Sequence, residues 1–299
     1  MLSVLIPTHN YDTVSLVTEI QKQCIASEII FEIIVLDDGS TNTEIDKKNE
    51  LINLIPHCRI EKNQVNLGRG QNINKLVQKS QYDWVLILDC DVFPTKEYFI
   101  KNYLNSLSNQ KTEIIYGGIA YKIETPEKNK LLRWVYGKKR EQISVQQRNK
   151  APYKTTLTSN FLIRKKIFQE IKFDERITQY GYEDLVFIEN LKIRKITINH
   201  IDNPVYHLNY ETSKIFLEKT ELALKNLCEL EKREVIKNHS TKIQRSYSRL
   251  DSFKLTMLFY IAFRKTRKII QLNLLSSKPN LFLFDLYKLG FFISQKLNL

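Results

Sequence analysis

No CxxC pair occurs in this chain, and its four cysteines, Cys24, Cys58, Cys90 and Cys228, lie far apart. That spacing argues against a disulfide framework and a cysteine zinc site, and it fits a reducing compartment. No apolar run approaches the roughly 20 residues that a spanning helix needs. The start lacks a charged leader and a small-residue cleavage site, and Leu2–Ile6 already reads as a strand. A cytoplasmic protein is therefore expected. There is no internal repeat and no low-complexity segment. Gly68-x-Gly70 lacks the third glycine of a dinucleotide fingerprint. Acidic residues nearly vanish at the end: from Ser240 onward eleven Lys/Arg stand against two Asp, so this stretch carries +9 of the net +13.

What is present is an alternation of strand and helix. The 299 residues, 42% of them hydrophobic, suffice for one large α/β domain or two smaller ones. Strand-like runs fall at Leu2–Ile6, Glu32–Leu36, Trp84–Leu88 and Glu113–Tyr116. Between them, Leu16, Val17, Ile20 and Cys24 share one helical face, and Ile73, Leu76 and Val77 share another. Pro94-Thr95 can open a helix bearing Phe99, Tyr103, Leu104 and Leu107. This βαβ rhythm predicts an α/β fold with a mostly parallel sheet flanked by helices. Residues 122–155 are polar and basic and read as a loop or short helices. Residues 212–238 read as one long charged helix.

The informative tripeptide is Asp89-Cys90-Asp91, at the end of Trp84-Val85-Leu86-Ile87-Leu88. If the extended backbone continues, alternation points both carboxylates to one side and Cys90 to the other. Carboxylates at the carboxyl end of a central strand sit where open α/β sheets bind ligands, and they suit a hard divalent cation that holds phosphates. Alone, Asp-x-Asp is a common turn. Four other segments also close apolar runs: Ile6-Pro7-Thr8-His9-Asn10, Asp37-Asp38-Gly39-Ser40, Asn66-Leu67-Gly68 and Tyr180-Gly181-Tyr182-Glu183-Asp184.

With Ser159-Asn160-Phe161 and Phe173-Asp174-Glu175, this ordered set resembles glycosyltransferase family 2 over about residues 1–210. The resemblance implies a GT-A type, Rossmann-like fold, with a catalytic domain expected over residues 1–238. The basic, amphipathic helical extension expected over 239–299 lies outside the resemblance and is read from its own charge and apolar pattern. The resemblance also implies an inverting transferase that uses a nucleotide-sugar, with UDP the usual nucleotide and a hexose or N-acetylhexosamine the sugar. Pro7, Thr8 and Asn10 would line the nucleoside pocket. Asp38 would accept from base or ribose, and Asn66 and Gly68 would close over the nucleotide. Asp89 would face the ribose and metal region. Asp91, with His207 and Asp89, would ligate Mn²⁺ or Mg²⁺. Asp184 would be the general base, with Glu183 as runner-up or orienting group. The implied acceptor is a glycan or lipid-linked glycan of bacterial surface polysaccharide synthesis. Read from the residues themselves, Asn160 either faces that acceptor or satisfies a turn, and Trp134 either stacks on it or, the commoner role for such an aromatic, anchors a loop. His9 stands where the family usually has an aromatic.

Two other readings compete. A sugar nucleotidyltransferase would want a glycine-rich basic loop after the first strand, and Pro7-Thr8-His9-Asn10 has no glycine. A degenerate, membrane-bound scaffold would not be expected to keep Asp38, Asp89, Asp91, Glu183 and Asp184 together. The tail alternates large apolar runs, such as Met257–Phe263, with Arg264, Lys265, Arg267 and Lys268. That pattern suits a helix on an anionic bilayer surface, or a helix packed on the rest of the chain. No nucleic-acid reading motif accompanies it. Peripheral attachment to the inner face of the membrane is the expected location if the bilayer reading holds.

Overall fold

The computed structural model describes residues 1–107 and 112–298. The chain divides into two compact units. The first comprises Met1–Lys122, Arg140–Thr178 and Glu183–Asn209. The second comprises Ile123–Lys139, Gln179–Tyr182 and Tyr210–Leu299. The second unit is thus larger than the extension expected at 239–299, whose last residue, Leu299, lies outside the described residues.

Among the described residues the first unit holds ten strands: β1 (Leu2–Thr8), β2 (Phe31–Asp37), β3 (Cys58–Lys62), β4 (Trp84–Leu88), β5 (Val92–Pro94), β6 (Ile114–Tyr116), β7 (Ile119–Ala120), β8 (Asn160–Arg164), β9 (Asn199–His200) and β10 (Val205–His207). The main sheet runs β3-β2-β1-β4-β8-β6-β9, and a small sheet runs β5-β10-β7. In the main sheet β8 pairs antiparallel with β4 and β6, while the other pairings are parallel. Alternation along the central strands feeds two cores. Val4, Ile6, Ile33, Val35, Leu86 and Leu88 pack on one face with Leu16, Val17, Ile20 and Cys24 of the helix Val14–Ala26. Leu5, Ile34, Leu36, Val85 and Ile87 pack on the other with Ile73, Leu76 and Val77 of the helix Arg69–Lys79. The expected α/β architecture and both helical faces are present.

Two local expectations change. Pro94 does not open a helix. It ends β5, pairing with Val205 of β10, and the helix begins only at Phe99. Asp89-Cys90-Asp91 does not continue the strand either, because β4 stops at Leu88 and a turn follows. Strand alternation therefore does not place these side chains, although Cys90 still packs on the first core. Residues 122–155 contain the short helices Leu131–Arg140, Val145–Lys150 and Pro152–Thr155.

The second unit is helical. Ser213–Lys232, Lys242–Ser252, Thr256–Leu274 and Leu281–Lys296 are its main helices. Thr212 caps the first, Thr241 and Gln244 form a capping box on the second, and Asn280 caps the last. Phe263, Ile270, Leu274, Phe284 and Tyr287 make the core. Gly290 lets two helices approach closely: a Cβ there would lie 2.2 Å from Phe263 Cγ. Among the described residues, no helix is long and apolar enough to cross a membrane.

Around β6 and β9, Arg148 is buried at 3% exposure and donates to the carbonyls of Tyr116, Gly117, Ile143 and Ile201. His200, also buried, sits 3.4 Å from the same guanidinium. Burial first and Arg148 second push its imidazole down to about 4. The unfolded chain titrates near 6.5, so it binds the extra proton between those values. His200 thus makes the fold lose stability as pH falls from about 6.5 toward 4, by up to about 3 kcal/mol. His200→Gln should flatten that part of the urea-midpoint profile between pH 7 and 4.5. An unchanged slope would rule His200 out as its source.

Candidate active site

The carboxyl ends of β1, β2 and β4 gather the predicted loops at one edge of the sheet. Asp38 follows β2 and is 4% exposed. Its Oδ1 accepts from Leu67 N at 2.9 Å and Asn63 Nδ2 at 3.0 Å, and its Oδ2 accepts from Gly68 N at 2.8 Å. Asp38 therefore clamps the Asn66–Gly68 loop. Gly39 permits the clamp: its φ is +71°, and a Cβ would meet Asn66 N at 2.9 Å. Asn66 is exposed, and its Oδ1 accepts from Gly68 N.

Asn10 ties the exits of β1 and β2 together. Its Oδ1 accepts from Thr41 N and Asn42 N, both at 3.0 Å, and its own N–H donates to Ser40 Oγ at 2.7 Å. Pro7 and Thr8 are buried within β1, and Thr8 Oγ1 donates to Tyr11 O. They form the floor beneath the loops and present little surface to a ligand.

The centre of the site is a residue to which the sequence reading assigned no role. Arg69 begins the helix Arg69–Lys79, where a positive charge opposes the helix dipole. It is held there by acids. Nε and Nη2 donate to Asp89 Oδ1 at 2.8 and 2.6 Å, and Nη1 donates to Asp184 Oδ1 at 2.9 Å. Thr158 supports Asp184 twice, donating through Oγ1 to Oδ1 and through its backbone N–H to Oδ2 at 3.2 Å. The side chains of Arg69, Asp89 and Asp184 keep 25–29% exposure, so this bridge faces solvent. Burial disfavours the charge on Arg69, but Asp89, Asp184 and Glu183 outweigh it and hold the guanidinium firmly protonated. Burial, then Asp91 and Asp184, push Asp89 up to about 6 against the pull of Arg69. Glu183 is raised by burial and by Asp184. Its Oε2 is buried with no hydrogen-bond partner among the described residues.

Asp91 lies beside His207. Antiparallel pairing sets His207 opposite Val92, Leu208 N donates to Asp91 O at 2.8 Å, and His207 Nε2 stands 3.5 Å from Asp91 Oδ2. Tyr121 stacks on the imidazole at 5.6 Å between centroids. No group of three or more His, Cys, Asp or Glu able to hold a metal occurs among the described residues. Asp89 is thus not brought into the Asp91–His207 pair, and its Oδ1 is spent on Arg69. The pair itself fits a divalent cation. One carboxylate and one imidazole are a sparse donor set of the kind completed by substrate phosphates and water. The acids Asp89, Asp91, Glu183 and Asp184 also exceed the single guanidinium, which leaves a negative site suited to a dication.

The two acceptor candidates fare differently. Asn160 is fully buried. Its Nδ2 donates to Gly118 O and Asn203 O, and its Oδ1 accepts from Tyr103 Oη. With its amide consumed by the fold, it has no atom left for an acceptor. Trp134 lies in the second unit, with Lys138 Nζ 4.5 Å above its ring. The missed residues are Arg69 and Thr158. A cation on the first turn of a helix was the available signal for Arg69, and nothing local marks Thr158.

Comparison with known proteins bears on the family and the fold. The family described as Glycosyl transferase family 2 matches residues 3–172. Curated protein sequences return no match. Among solved structures, S. aureus TarS 1-349 in complex with UDP-GlcNAc is similar at 17% identity and a TM-score of 0.50, over 76% of this chain and 66% of that one. The mannosyltransferase PcManGT from Pyrobaculum calidifontis, in complex with GDP-Man and Mn²⁺, is similar at 11% identity and 0.52, over 77% and 64%. At these identities the likeness is one of fold, and this chain spans about two thirds of each neighbour's length.

The Arg69 bridge carries its own prediction. Arg69→Met should cost about 3 kcal/mol of unfolding free energy, because it strands the acids it paired. Arg69→Met combined with Asp89→Asn should cost clearly less than the two single changes together, as coupled partners do. Urea unfolding of the four proteins measures this, and simple additivity would show that the pair is not coupled.

Proposed function

The chain belongs to glycosyl transferase family 2, and from that premise we propose that it moves a sugar from a nucleoside-diphosphate donor to an acceptor hydroxyl, inverting the anomeric centre. The observation that carries this reading is the set of four acids at the carboxyl edge of the sheet, divided between an Arg69-bridged pair, an Asp91–His207 pair and Glu183, whose Oε2 is buried. Such a division separates binding the leaving group from taking the acceptor proton.

On the donor side, the Asn66–Gly68 loop, set by Asp38, lies over the nucleoside. Asp91 and His207 would hold Mn²⁺ or Mg²⁺, which would supply charge to offset that gathering on the departing diphosphate. UDP-GlcNAc, and GDP-Man with Mn²⁺, are the donors in the two similar complexes, which suits a nucleotide sugar here. UDP carrying a hexose or N-acetylhexosamine is the donor we favour.

On the acceptor side, Asp184 takes the proton. Oδ1 is occupied by Arg69 and Thr158, whereas Oδ2 accepts only a 3.2 Å bond from Thr158 N among the contacts described. Oδ2 therefore keeps lone-pair capacity for the acceptor hydroxyl, and Arg69 fixes the carboxylate's direction. One displacement of this kind gives inversion. The acceptor class is a glycan or lipid-linked glycan of bacterial surface polysaccharide, which places the enzyme at the inner face of the cytoplasmic membrane.

Asp184→Asn should bind UDP normally by calorimetry yet lose roughly 10²–10⁴-fold in turnover, the range for a general base. If Glu183→Gln loses more, the proton goes to Glu183 instead. Wild-type UDP binding should strengthen with Mn²⁺, and Asp91→Asn should abolish that gain. UDP binding indifferent to metal in the wild type would remove the metal from the scheme.

A further inference from the structure

Nine of the twenty-one large apolar side chains that are exposed among the described residues fall within residues 253–282. Five are strongly exposed: Phe253 74%, Leu258 65%, Ile269 69%, Leu272 71% and Phe282 67%. Exposed apolar residues scattered singly need no explanation, but a concentrated patch does. This one is organised by a helix.

On the helix Thr256–Leu274, at 100° per residue, Phe263, Ile270 and Leu274 point inward to the core of the second unit. The opposite arc, about 140° wide, carries Met257, Leu258, Ile261, Ile269 and Leu272. Its remaining residues are Arg264, Lys265 and Lys268, and the helix has no Asp or Glu at all. The basic residues divide by face. Arg267 turns sideways and pairs with Glu221 at 3.0 Å, whereas Arg264, Lys265 and Lys268 form no salt bridge among the described residues.

We propose that this outer face docks onto an anionic bilayer surface, with Leu258, Ile269 and Leu272 entering the acyl boundary and Arg264, Lys265 and Lys268 meeting lipid phosphates. The inference extends the membrane location proposed above and rests on that reading for its purpose, though the face is read from exposure and charge alone. Charge selects the occupant. A second copy of the chain would bring two unpaired basic clusters into one interface, which like-charge repulsion penalises. A bilayer rich in phosphate headgroups supplies the missing anions, and its acyl chains cover the apolar residues. At 19 residues the helix is long enough to lie in the interface plane, and it is not long and apolar enough to cross a membrane.

The test is flotation of the full chain with vesicles of phosphatidylcholine alone and of phosphatidylcholine containing phosphatidylglycerol. The wild type should float only with the anionic vesicles, and less so in high salt. The combined change Arg264→Gln, Lys265→Gln and Lys268→Gln should weaken partitioning by roughly 100-fold, since each basic residue near such a surface contributes about fivefold. Leu258→Glu with Ile269→Glu should abolish it. All five positions are exposed, so the variants should fold, and unchanged UDP binding by calorimetry confirms that they do. Wild-type flotation with neither vesicle, or equal flotation of the variants, would overturn the proposal. So would a dimer by light scattering that Leu258→Glu with Ile269→Glu breaks while the wild type ignores vesicles. If no protein binds UDP but the flotation pattern holds, the transferase reading fails and this one stands.

Discussion

The site depends on one guanidinium placed among too many carboxylates. Arg69 reaches Asp89 at the end of β4 and Asp184 at the start of a helix 115 residues further along. Without it, two partly buried acids would face each other with only a threonine between them. Removing charge from water is costly, and it is tolerated here because every donor of the fork aimed at the acids finds an oxygen. The bridge also leaves a surplus. Asp91 and Glu183 have no share in Arg69's hydrogen bonds, and Asp89 and Glu183 are raised first by burial and further by neighbouring carboxylates. A dication beside Asp91 and His207 would redress that imbalance, and a diphosphate would arrive with it.

The sheet makes the bridge possible. Parallel strands deliver their carboxyl ends to one edge, so Asp38 after β2 and Asp89 after β4 flank the end of β1 that lies between them. The antiparallel strand β8 adds the opposite end of a segment to the same edge. Leu88 pairs with Asn160, and Asp89 N donates to Ser159 O at 3.1 Å. Thr158, just before β8, is thereby placed to hold Asp184. A parallel β8 would have sent that threonine to the far side of the sheet.

The second unit solves a different problem with similar means. Its helices bury aromatic side chains inward, close enough that Gly290 must lack a side chain against Phe263. The helix Thr256–Leu274 is apolar on both of its faces, and the outer one carries Arg264, Lys265 and Lys268, which form no salt bridge among the described residues. Packing accounts for the inner face completely and for the outer face not at all.

Much of this was written locally. Continuous apolar runs such as Trp84–Leu88 specify buried strands, and the spacing of Leu16, Val17, Ile20 and Cys24 specifies a helical face, because both signals come from neighbours in sequence. The acid-bearing loops close these apolar runs in sequence, so their gathering at one edge of the sheet was legible for the same reason. What the tertiary structure alone decided is which groups pair. Asn160 looked available and is consumed by Gly118, Asn203 and Tyr103. Asp38 looked open to a nucleotide and clamps a loop. Pro94 looked like a helix start and joined a strand, since Val205 lay across from it. Arg69 carried no motif, yet it holds the centre. Hydrogen bonds and ion pairs are settled by distances of about 3 Å between segments tens to over a hundred residues apart, and no local pattern encodes those distances.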